Sequence, residues 1–360
     1  VLEDKNMAKK AFRVILLILA AVIIAAAMLL LYLTVTEYRP ADKEDAAILS
    51  AKGTSVLREG DDISLLSWNI GYAGLGAGSD FFMDGGKGVA DADKATVKKY
   101  LKGIGSDAFS GKNKADITML QEVDVESSRS YNINESNILK RGSASFALNF
   151  SVRFVPYPLP PIGKVNGGLL VDSQYQVESA ERIALPCPFK WPVRLANLKR
   201  CLLVNYIPIK GSDKYLVVAD LHLEAYDNGS GKAAQTKVLK KFLLQEYKKG
   251  NYVIAGGDFN QEFPGVTDIY PNTHTDLWKV GMLDQSAIPD GFSFAYDTSS
   301  PSCRLNNQPY DASDTENTQY YVIDGFILSP NVRLKTVRTL DEGFENSDHN
   351  PVRMTVTLVK

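Results

Sequence analysis

"NYVIAGGDFN", residues 251–260, is an apolar run that closes on a carboxylate and an amide, Asp258 and Asn260. Its length, its β-branched residues and the glycine before it predict a buried strand rather than a helix. The same design recurs. "LLSWN" ends at Asn69, "ITMLQE" at Glu122, "VVADLH" at His222, "YYVID" at Asp324, and "SDH" at Asp348 and His349, just before an alternating final run. One carboxylate after a strand is an ordinary turn cap. Six strands that each deliver Asn, Asp, Glu or His to an end describe a common polar site.

Between these runs the sequence predicts further strands at 146–155, 167–172, 201–209 and 352–359. Helical periodicity is clearest over 231–250, where Ala234, Val238, Leu239, Phe242, Leu243 and Tyr247 share one face and Gly250 marks the stop. Residues 91–105 form a second predicted helix. Residues 125–142 form a third, with a centre rich in Asn and Ser. Many strands with few helices predict an α/β fold of two packed sheets flanked by helices, without an internal linker between 61 and 360. The Gly-rich stretch 71–88 reads either as a solvent loop or as a rim around a site at the first strand's end. It matches neither a dinucleotide fingerprint nor a P-loop.

Residues 14–35 are 22 uncharged, nearly all-apolar residues, about 33 Å as a helix and long enough to cross a bilayer. A cleaved signal peptide and a buried core helix are weaker alternatives, because the run is long and no clean small-x-small site follows. Lys5, Lys9, Lys10 and Arg13 crowd its N-terminal side, whereas the other flank is mixed. The expectation is a single-pass anchor at the cell membrane: residues 1–13 cytoplasmic, 14–35 transmembrane, 36–60 a juxtamembrane stalk, and 61–360 an extracytoplasmic domain.

Composition excludes several classes. The net charge is −2; residues 1–40 hold five Lys/Arg against three acids, leaving 35 against 39 in the rest. No overall basic field attracts nucleic acid. Cys187, Cys201 and Cys303 allow at most one disulfide and lack metal-site spacing. With no Cys cluster and no H-E-x-x-H, zinc fits poorly, whereas carboxylates and amides suit a hard ion such as Mg²⁺. Two of the three histidines, His222 and His349, are then free for proton or phosphate work. His274, in "PNTHTDLW", reads as a solvated loop residue, and "CPFKWPVRLANLKRC" as a solvated charged hairpin.

From about Ser64 to the C-terminus the chain resembles the endonuclease/exonuclease/phosphatase superfamily, through "LLSWNI", "MLQEVD", "VVADLHLEA", "IAGGDFN", "YVIDGFIL" and "SDHNPV" in family order. The resemblance implies a DNase I-like four-layered α/β sandwich, with the site at one edge between two sheets. It implies Glu122 as principal Mg²⁺ ligand (Mn²⁺ as substitute), with Asn69 and Asp348 beside the metal. Asp258 then orients or activates the attacking water and Asn260 contacts the phosphate. Asp324 orients His349, which acts as base or charged donor, and His222 resembles a phosphate donor or general acid. Asn166 is a looser match to a polar residue near the phosphate. The implied reaction is Mg²⁺-dependent phosphodiester hydrolysis by a monomeric catalytic domain. Nucleic acid ranks ahead of phospholipid or inositol phosphate as substrate, partly because no apolar hairpin is visible outside 14–35. A non-catalytic binding module is the remote alternative.

Overall fold

The structure, a computed structural model, describes residues 2–88, 92–274, 276–314 and 316–359. Position 91, the first of the second predicted helix, lies outside them. Fourteen strands build two seven-stranded sheets: β1 Lys43–Asp45, β2 Ala47–Ala51, β3 Asp62–Asn69, β4 Ile117–Asp124, β5 Ser143–Val155, β6 Gly163–Ser173, β7 Ser179–Ala184, β8 Cys201–Pro208, β9 Tyr215–His222, β10 Tyr252–Asp258, β11 Ser293–Ala295, β12 Asp324–Leu328, β13 Val332–Thr339 and β14 Val352–Leu358. One sheet runs β1-β7-β8-β9-β10-β12-β11 and the other β13-β14-β3-β4-β6-β5-β2. The helices are α1 Leu2–Val35, α2 Lys94–Phe109, α3 Glu135–Leu139 and α4 Ser230–Lys248.

The inner faces pack on each other. Leu65, Met119 and Met354 of one sheet share a buried cluster with Leu216, Ile254 and Phe326 of the other. Leu239, Phe242 and Leu243 of α4 cover the outer face of the first sheet. Val97, Leu101 and Ile104 of α2 cover that of the second. Central strands are therefore buried on both faces, which is why they read as near-continuous apolar runs. This is the expected four-layered sandwich. Parallel pairing occurs at β3–β4 and at β9–β10, the pairs bridged by α2 and α4, as parallel neighbours require a crossover.

Two expectations change. Residues 125–142 yield only a 3₁₀ turn at Ser128–Ser130 and the short α3. Tyr131 and Asn132 sit at φ 55° and 56°, and the Asn134 side chain accepts from Asn137 N at 3.0 Å, so the polar centre turns and caps instead of continuing a helix. The stalk at 36–60 is corrected as well. It is built into the sandwich: β1 pairs with β7, β2 pairs with β5, and Leu57 is 1% exposed in the inter-sheet core. Edge strands of three and five residues carry little periodic signal. Residues 36–360 should accordingly unfold at a higher temperature than residues 61–360. Loss of Leu57 burial and two edge pairings should cost at least about 2 kcal/mol, measured by thermal or denaturant unfolding.

The helix α1 contains a stretch, Asn6–Val35, long and apolar enough to cross a membrane, and none of its most apolar window is buried. Its last turns are different. Leu33 packs against Val152, Val155 and Leu195, and Trp191 Nε1 donates to Thr34 Oγ1 at 3.1 Å. Glu37, just beyond, pairs with Arg194 and Lys199, each at 3.2 Å. The charged hairpin around 187–201 thus docks the end of α1 instead of forming a solvated face.

Candidate active site

Strand register assembles the polar ends. Asp258 at the end of β10 lies opposite His222 on β9 and opposite Asp324 on β12. Asn69 ends β3 beside β4, where Glu122 follows. The β4–β6 ladder slips between Leu120 and Val123, a bulge that re-aims Glu122. Backbone strain gathers at the site, with Tyr72, Glu122 and Asn260 at φ 42°, 56° and 49°, conformations that side chains with a Cβ adopt at a cost. Gly257, at φ 139°, must lack a side chain: a Cβ there would lie 1.9 Å from the Leu221 carbonyl oxygen.

All eight sequence-predicted residues converge on one pocket or its immediate wall. His349 Nδ1 and Asp324 Oδ2 are 2.8 Å apart, and Ser302 Oγ donates to the same Asp324 oxygen at 2.7 Å. Asn69 Nδ2 donates to Asp258 Oδ2 at 3.0 Å and to Glu122 Oε1 at 3.3 Å, and lies 3.5 Å from His349 Nε2. His222 Nε2 is 3.5 Å from Asp258 Oδ2 and 4.0 Å from Glu122 Oε1. Asn260 N caps Asp258 Oδ1 at 2.8 Å, while its side chain donates to the Leu223 carbonyl at 2.9 Å. Asp348 is buried and accepts from Asn306 Nδ2 at 3.3 Å. Only Glu122 keeps a solvent-reaching carboxylate, its side chain 24% exposed.

Burial sets the charges. Desolvation pushes Asp258 up to about 7, with His349 pulling it down and Asp324 pushing it further up. Asp348 is likewise raised, to about 6, by burial, with the like charge of Glu122 adding to it. For His349 burial opposes the charge, but the Asp324 carboxylate outweighs it and the pKa rises well above the ordinary value. His222 moves the other way: burial, then Arg200 and His349, hold it neutral. Among the described residues its Nδ1 has no hydrogen-bond partner, nor do Asp324 Oδ1 and the Tyr72 hydroxyl.

These observations test what the site could hold. Asp258, Asp324 and His349 have ligand atoms within 4.8 Å of one another, but a protonated imidazole bonded to Asp324 cannot ligate a metal. Glu122 and Asp348 both line the pocket, with Asn69 beside them, and Glu122 acts on Asp348 as a like charge despite Arg304 and His349 nearby, so together they offer a hard oxygen set. A divalent cation fits there.

Several site residues carried no signal in the sequence. Arg304 is buried behind Asp348, donating to Asn306 Oδ1 at 3.0 Å, Gln308 O at 3.2 Å and Gly76 O at 3.3 Å. Asp84 accepts from the Tyr226 hydroxyl at 2.8 Å, and burial raises its pKa. Arg304 lies in a two-residue strand, Cys303–Arg304, and Asp84 in a 3₁₀ turn, Phe82–Asp84, both too short to show periodicity. Tyr72, Phe81, Phe82 and Asp84 show that the Gly-rich stretch is a rim of the pocket. Asn166 is not brought in: its side chain accepts from Ser151 Oγ at 2.9 Å on β6. His274 stays on a distant loop, 3.1 Å from Thr273 Oγ1. All three cysteines are free thiols.

Comparison with known proteins agrees with the geometry. An endonuclease/exonuclease/phosphatase protein from Beutenbergia cavernae DSM 12333 superposes with a TM-score of 0.51 at 16% identity, over 84% of this chain and 72% of that one. A family protein from Bacteroides thetaiotaomicron gives 0.52 at 13% identity, over 84% of this chain and 100% of that one. At these identities the likeness concerns the fold. No curated protein sequence matches the chain. The family model described as "Endonuclease/Exonuclease/phosphatase family" matches residues 66–349, from the strand that ends in Asn69 to His349 itself, and the chain therefore belongs to that family.

Proposed function

We propose that the protein is a Mg²⁺-dependent phosphodiesterase, with Mn²⁺ as a substitute, acting at the outer face of the membrane in which α1 is anchored. The observation that carries this reading is the convergence of His349, His222, Asp258 and Asn69 around Glu122 at the ends of strands from both sheets. Glu122, Asp348 and Asn69 would hold the ion, which when bound supplies positive charge for the phosphoryl oxygens. Asp258, with a pKa near neutrality, accepts the proton of the attacking water. The water oxygen bonds to phosphorus as the bond from phosphorus to the leaving alcohol breaks. His349, kept charged by Asp324, donates to the phosphoryl group and gives its Nε2 proton to the leaving oxygen. Asp258, 3.8 Å from His349 Nε2, returns the water's proton to the ring. His222 offers a neutral N–H donor to the developing charge. The full chain should hydrolyse bis-p-nitrophenyl phosphate with Mg²⁺ or Mn²⁺, and EDTA should stop it. The anchor orientation, with the N-terminus cytoplasmic, follows from the basic residues on the N-terminal side of the apolar run 14–35.

A further inference from the structure

The pocket that holds the polar cluster is largely greasy, and it leads toward the membrane helix. A cavity of about 530 Å³ extends from Asn69, Glu122 and His349 to Phe150, Val155 and Ile162. Those three apolar residues belong to the same cluster in which Leu33, in the last turns of α1, is buried. The far wall of the pocket is therefore packed on the end of the membrane-type helix. Two loops flank that end, 156–162 between β5 and β6 and 185–200 between β7 and β8. Four of their apolar side chains face solvent: Tyr157 is 69% exposed, Leu159 81%, Trp191 53% and Val193 58%. A helix inserted in a bilayer would place these side chains at the headgroup boundary, where aromatic and apolar groups are stabilised.

The charges in the pocket point the same way. Its lining contains three arginines and no lysine among the described residues. Arg129 is held in a two-pronged pair by Asp124, with both bonds at 2.9 Å. Arg200 is paired with Glu224 at 3.3 Å, and Arg304 is bonded to backbone carbonyls and Asn306. None is left to track the phosphates of a nucleic-acid strand, which such binding requires.

We propose that the substrate is a lipid phosphoester of the same membrane, its phosphate at the polar cluster and its apolar chain along Phe150, Val155 and Ile162. This rests on the phosphodiesterase reading and names the substrate class for it. The lipid would pass between the two loops beside α1, so the anchor and the pocket form one device. This reverses the order of substrates expected from the sequence, in which the apolar pocket left no signal.

The test uses the full chain in detergent micelles with Mg²⁺ and p-nitrophenyl phosphodiesters bearing alkyl chains of increasing length, each below its own aggregation limit. The expected kcat/KM rises about three- to fourfold per methylene until the chain fills the cavity, and Ile162→Asp flattens that slope. Val193→Ser, on the exposed loop, should flatten it less while leaving the fold intact. A slope that is flat in the wild type, or kcat/KM higher on single-stranded DNA or RNA than on the longest alkyl ester, would overturn the lipid proposal alone. No turnover of any ester, the shortest included, would overturn the phosphodiesterase reading itself.

Discussion

His349→Ala is expected to lower kcat by about 10²–10⁴-fold, the range set by losing a positioned proton donor. The residue also supports the fold, because its ring is the partner of a fully buried carboxylate, Asp324 Oδ2, at 2.8 Å. Removing one member of a buried pair leaves the other desolvated and unpaired. The single variant should therefore lose stability as well as activity. Pairing it with Asp324→Asn removes the stranded charge, and Ser302 Oγ can still donate to the remaining amide oxygen. The double variant should recover much of the unfolding temperature and none of the activity. Recovery of both, followed by calorimetry and diester hydrolysis, would reduce His349 to a structural role.

Glu122→Gln is the second large effect. Glu122 is the most exposed carboxylate of the cluster, at 24% for the side chain, and it accepts a single bond from Asn69 at 3.3 Å. Its loss should leave stability within about 1 kcal/mol of the parent. Activity should fall by about 10²–10³-fold, because the ion's positive charge is no longer held against the phosphoryl group. A readout independent of turnover is available. Mg²⁺ bound to the native state alone raises the unfolding temperature in proportion to the logarithm of its concentration over Kd. That rise should appear in the parent and vanish in Glu122→Gln. A parent-like rise in the variant would move the ion to other ligands.

The sandwich was legible because its central strands are buried on both faces. "VVADLH" and "VIAGGDFN" are almost wholly apolar until their last residues, so the polar ends stand out. Register then does the rest: Asp258 meets His222 and Asp324 because the three strands are neighbours in one sheet. Glu122 and Asn69 arrive from the other sheet. The edges were not legible. β1 has three residues and β2 five, too few to show alternation, so a folded segment read as a stalk. Arg304, Asp84 and Tyr226 sit on a two-residue strand, a 3₁₀ turn and a loop whose positions depend on long-range packing, and no spacing along the chain announces them. The apolar pocket was hidden for the same reason. Its walls come from the β5–β6 turn, the loop before β8 and the Gly-rich rim, three stretches far apart in sequence.

The most direct measurement is hydrolysis of bis-p-nitrophenyl phosphate by the full chain, first stripped with EDTA and then titrated with Mg²⁺. Phosphodiester cleavage that is absent in EDTA and restored by Mg²⁺ is the expected result. Cleavage undiminished by EDTA, or none at any Mg²⁺ or Mn²⁺ concentration, would contradict a metal-assisted phosphodiesterase built on Glu122, Asp258 and His349.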